Sequence, residues 1–84
     1  MPLSERERNM KYLTRRHDQE MIEELTAEQA RFYLEGYWKD ETLADIFDGG
    51  KHFKLFTPYR DIWTETDDGV APMTGYGFQK NKRL

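Results

Sequence analysis

The sequence predicts a single small α+β domain, with two or three N-terminal helices followed by a small antiparallel β-hairpin. Three observations predict it. Before residue 50, two capping boxes of the S/T-x-x-E/Q kind each open an apolar stripe of helical spacing. After residue 50, alternating apolar residues, β-formers and an Asp-Gly pair replace that spacing. Aromatic residues make up 14% of the chain beside 35% charged residues. Rings in that number supply the burial that a disordered segment of such charge lacks.

The elements follow in order. Ser4 and Glu7 form the first box, and Met10, Leu13, His17, Met21 and Leu25 recur three or four residues apart. This predicts a surface helix over about residues 5–24. Thr26 and Gln29 form the second box. In the helix it opens, Ala27, Ala30, Leu34 and Tyr37 share a face that Phe32, Tyr33 and Trp38 widen, and Gly36 weakens the last turn. The stretch KDETLADIFDGG predicts a third, short helix over about residues 41–47. Asp40 is placed to cap it, Leu43, Ile46 and Phe47 line one side, and Gly49 and Gly50 end it.

In HFKLF, Phe53 and Leu55 alternate with polar neighbours, a strand signal. Pro58 disfavours α geometry at Thr57. YRDIWTET is rich in β-formers, Asp68-Gly69 suits a type I′ hairpin turn, and Pro72 confines any returning strand to an edge. TGYGF reads as a short strand or an irregular arm. The ends, residues 1–8 and 79–84, are expected to be mobile.

Eighty-four residues allow one domain, which buries only about 60–65% of the surface its unfolded chain exposes. There is no cysteine, hence no disulfide framework or thiolate metal site. No apolar run approaches the ~20 residues of a membrane span, and the N-terminal residues lack the apolar region of a secretory signal. A cytoplasmic protein without membrane partners is the expectation.

Charge is unevenly spread along the chain. Residues 1–17 carry five basic and two acidic side chains, residues 18–50 two and ten, and residues 51–84 six and four. The acidic middle repels a phosphate backbone and favours a partner with a basic surface. Glu35, Asp40, Glu41, Asp45 and Asp48 are the candidate contacts. Tyr59, Arg60 and Trp63 join them, because Tyr, Trp and Arg dominate interface hot spots and these three fall in a segment read as a loop or edge.

The stretch from Leu25 to Gly50 resembles the opening of small helix-turn-helix domains. Leu25 to Gln29 match the L-T-x-E-Q start, and Thr42 to Phe47 match the positioning helix before a glycine-containing turn. The resemblance implies DNA binding, with Lys51, His52, Lys54 and Arg60 as the phosphate-contacting residues. The following stretch departs from that pattern, because KHFKLFTPYRDIW is apolar and carries Pro58 at its centre.

Enzymatic chemistry is not expected. The chain has no cysteine nucleophile, no G-x-S-x-G, no P-loop and no G-x-G-x-x-G, and little room for a pocket of several hundred Å3. His17, Glu20 and Glu24 would share a helical face, but a histidine among carboxylates on a polar face is ordinarily solvated, so neither metal nor cofactor is expected. The residues therefore point to a non-enzymatic protein that docks on a larger protein or nucleoprotein and acts by steric occlusion or by mimicry of nucleic acid. In style it resembles small acidic phage and mobile-element proteins that inhibit host machinery. A DNA-binding regulator and a structural subunit of an assembly are the alternatives.

Overall fold

The computed structural model describes residues 10–66 and the backbone of residues 76–79. Strands dominate. β1 (Met10–Arg16), β2 (Ile22–Leu25), β3 (Phe53–Phe56), β4 (Arg60–Thr66) and β5 (Tyr76–Gln79) form one sheet in the order β2-β1-β4-β3-β5. The pairs β1–β2, β1–β4 and β3–β4 are antiparallel, and β5 lies parallel to β3 at the edge. Between β2 and β3 run the helix α1 (Ala27–Glu35) and the short helix α2 (Asp40–Leu43), which continues as a π-helical turn over Ala44–Asp48.

This overturns the expected order of helices before a hairpin. The described part of the helix expected over residues 5–24 is the β1–β2 hairpin. Two apolar periods compete in this stretch, and the one of period two decides the structure. Met10 and Thr14 are buried, with Tyr12 between them on the same face against the core. The stripe of helical spacing is not a buried face, since His17 and Met21 are exposed. Tyr and Thr also fit a pleated surface well. The turn is closed by Gln19 N–H donating to the Arg16 carbonyl at 3.0 Å and by Arg15 Nη1 donating to the Gln19 carbonyl at 3.0 Å. β2 is a short edge strand whose exposed Glu23 and Glu24 discourage further pairing. The first capping box, Ser4 and Glu7, lies outside the described residues.

The second capping box forms as the sequence indicates. Gln29 N–H donates to Thr26 Oγ1 at 3.1 Å, and Thr26 N–H donates to Gln29 Oε1 at 3.0 Å. α1 buries Ala30 and Leu34 completely, while Phe32 faces away from the core. Lys39 rather than Asp40 occupies the cap position of α2, and no side chain caps it; Asp40 is its first residue. The π-helical turn bonds Gly49 N–H to the Ala44 carbonyl and Lys51 N–H to the Ile46 carbonyl. Glycine is required at both following positions. A Cβ on Gly49 would collide with the Asp45 carbonyl, and Gly50 has φ 66°.

One face of the sheet carries Phe53, Leu55 and Ile62, which pack with Ala30, Leu34, Trp38, Leu43 and Ile46 into a single core. Trp38 Nε1 donates to the Phe56 carbonyl at 3.1 Å, tying the chain after α1 to β3. The β3–β4 hairpin turns at Thr57–Arg60. Asp68-Gly69 and Pro72 lie outside the described residues, as do 1–8 and 80–84 of the ends expected to be mobile; Gln79 closes β5. The turn rests on Thr57, whose N–H donates to the Arg60 carbonyl at 2.9 Å and whose Oγ1 accepts from the N–H groups of Tyr59 and Arg60, each at 3.2 Å. No helix among the described residues is long and apolar enough to cross a membrane.

Candidate functional site

An open cleft of about 480 Å3 lies between the C-terminal end of α1 and the Thr57–Arg60 turn. This is more room than the chain length suggests, because the hollow sits on the surface and takes nothing from the core. Phe32, Tyr33, Gly36 and Tyr37 form its helical wall. Thr57, Tyr59 and Arg60 form the opposite wall, and Arg16 at the end of β1 reaches it as well. The turn bonds of Thr57 hold Tyr59 outward, where it is 65% exposed; Phe32 is 71% exposed. These are two of the large exposed hydrophobic side chains of the described residues, and they share one cleft.

The rings are arranged edge to face. Tyr37 and Tyr59 meet at 6.3 Å between centroids, and Phe32 and Tyr33 at 5.8 Å. The Arg60 guanidinium lies over the Tyr33 ring, 3.9 Å from its centroid. Arg16 and Arg60 are directly opposite one another across the β1–β4 ladder. His17 N–H donates to the Tyr59 carbonyl at 2.9 Å, so the adjacent Arg16–Arg60 pair falls in the narrow, non-hydrogen-bonded register, where facing side chains are closest. Like charges so placed repel. Arg16 meets Asp18 at 3.1 Å, but both partners are exposed and such a pair contributes little. No carboxylate among the described residues lies within ion-pair distance of Arg60.

Of the three residues expected to form a docking cluster, the structure brings Tyr59 and Arg60 together and separates Trp63. β4 is a central strand, neither loop nor edge. Strand alternation therefore sends Trp63 to the sheet face opposite the core, beside Leu13 and Lys54, where its Nε1 donates to Glu65 Oε2 at 2.9 Å. The same outer face carries Asp61, with His17 Nε2 at 2.8 Å and Arg15 at 3.7 Å.

The expected acidic contacts do not form one free patch. Glu35 and Asp48 both meet Arg31, at 3.9 and 3.6 Å, and Asp45 meets Lys51 at 2.9 Å. Asp40 and Glu41 occupy the first turn of α2, where a helix N-terminus favours carboxylates. The four residues that the helix-turn-helix resemblance implies for phosphate contact are dispersed too. Lys51 meets Asp45, His52 is buried against Thr64, Lys54 is on the outer sheet face and Arg60 is in the cleft. The residues after Gly50 form β3, so no recognition helix follows the turn.

Among the described residues, no three His, Asp or Glu side chains are grouped to hold a metal ion. No family model, curated protein or solved structure matches the chain. The cleft is thus defined by its own chemistry. Sequence reasoning missed Arg16, Phe32, Tyr33, Gly36, Tyr37 and Thr57 as its lining. The signal for Arg16 was present in its parity with Met10, Tyr12 and Thr14, which only a strand reading uses.

Proposed function

We propose that this is a non-enzymatic recognition protein that docks on a larger protein through the cleft between α1 and the β3–β4 turn, and acts by occluding the surface it covers. The observation that carries the reading is the exposure of Tyr59 and Phe32 around one cleft whose charged side chains are both arginines. Tyrosine and arginine held on a rigid wall are the residue types that anchor interfaces. Tyr59 sits on a turn fixed by the buried Thr57, so it presents its ring at little entropic cost on binding.

Capture of partners from a lysate of the protein's own cells, with and without nuclease, tests this. The wild type is expected to retain a stoichiometric protein after nuclease. Tyr59→Ala is expected to weaken capture by about 2 kcal/mol or more, as loss of an anchor does, while circular dichroism shows an unchanged fold. Trp63→Ala should leave capture intact. Capture indifferent to Tyr59, or material that vanishes with nuclease and leaves no protein behind, would contradict the reading.

A further inference from the structure

We infer that the occupant of the cleft is a short extended peptide segment of the partner, acidic at one end, basic at the other, and apolar or aromatic between. This rests on the docking reading and names the chemistry of what docks.

A second hollow of about 450 Å3 shares Phe32 and Tyr33 with the cleft and is lined also by Glu28 and Gln29. Residues 28, 32 and 36 recur four apart, so the two hollows lie end to end along one face of α1, from Glu28 to Gly36. That distance is about 12 Å at the rise of an α-helix, which about four residues of extended chain would span. The groove is electrically polar. Its Gly36 end has Arg16 and Arg60; exposed Asp18 meets Arg16, and no carboxylate among the described residues meets Arg60. Its other end has Glu28. An acidic side chain at the arginine end would accept charge-assisted hydrogen bonds from Arg60 and compete with exposed Asp18 for Arg16. The exposed Phe32 between the two ends would cover an apolar side chain.

Gly36 lies at the arginine end of α1. Its φ is −75°, which any residue adopts, and beyond its chain neighbours and its own helix backbone a Cβ placed on it would meet no described atom within 4 Å. Neither backbone nor packing calls for glycine, and alanine here should raise stability slightly. What a side chain at position 36 would do is narrow the groove at the arginine end. A single-stranded nucleic acid fits less well. Further phosphates along its backbone would approach Glu28 on a chain of net charge −3.

The test is fluorescence polarisation with labelled, end-capped hexapeptides carrying Asp and Lys on either side of a Phe-Leu pair, in both chain directions, beside a single-stranded oligonucleotide. One peptide direction is expected to bind. Replacing its Asp by Asn should weaken binding about tenfold, the scale of a lost charge-assisted hydrogen bond. Gly36→Ala should weaken it without lowering the melting temperature. Arg60→Glu, or Arg16→Glu should Arg60→Glu fail to fold, should shift preference to peptides with Lys in place of Asp. The inference is overturned if the Asn peptide binds as well as the Asp peptide, if the oligonucleotide binds and displaces the peptides, or if no peptide binds below about 1 mM. In any of these cases, lysate capture that still depends on Tyr59 leaves the docking reading standing. Capture indifferent to Tyr59 ends both.

Discussion

Phe53→Ala is expected to destabilise the protein by about 3–5 kcal/mol. Phe53 is 1% exposed and begins β3 at the centre of the core. Its ring meets Phe47 edge to face at 5.6 Å and Tyr12 at 6.3 Å, so one side chain joins the π-helical turn to β1. Removing it leaves a cavity beside the stacked rings of Tyr12 and Phe47, which the sheet and the π-helical turn hold in place. A domain this size has a total stability of about 5–15 kcal/mol, so the variant should unfold at a much lower denaturant concentration or fail to fold. Lys54→Ala, one residue on and facing outward, is expected to stay within about 0.5 kcal/mol. Urea titration of both variants reads the alternation of β3 directly. Equal effects at 53 and 54 would contradict the strand.

Thr64→Val should cost about 1–3 kcal/mol, although it adds a methyl group to a core position. Thr64 is completely buried on β4. Its Oγ1 accepts from Phe53 N–H at 2.9 Å and lies 2.9 Å from His52 Nδ1. Valine keeps the shape and removes the acceptor, leaving the Phe53 N–H buried without it. Thr64→Ser keeps the hydroxyl and gives up one carbon, about 0.8 kcal/mol by area. Urea titration is expected to rank serine above valine in stability, the reverse of the order that apolar burial alone would give. Valine equal to wild type would show that the hydroxyl does not organise the junction of β3 and β4.

The elements legible in the sequence are those whose signals are local and uncontested. Thr26 and Gln29 mark the start of α1 because both halves of a capping box are needed to satisfy two orphan amides, and nothing nearby competes. Phe53 and Leu55 mark β3 because only one period fits them. The β1–β2 hairpin is obscured because Met10 belongs to two patterns at once. Met10, Leu13 and His17 fit a helix, while Met10, Tyr12 and Thr14 fit a strand. Pairing with β4, which lies some fifty residues away, decides between them. The site inherits that difficulty. Tyr59 and Arg60 are legible as an exposed aromatic and a cation beside a proline turn. Their partner Arg16 is visible only when β1 is known to lie beside β4. Trp63 is misplaced for the same reason, since its face depends on β4 being a central strand.

Site-specific photo-crosslinking locates the docking surface. Benzoylphenylalanine is placed at position 59 in one sample and at position 63 in another, and each is irradiated in a lysate of the protein's own cells. One protein adduct resistant to nuclease is expected from position 59, and none from position 63. An adduct from position 63 with none from position 59 would place the partner on the outer face of the sheet and contradict the cleft as the docking site.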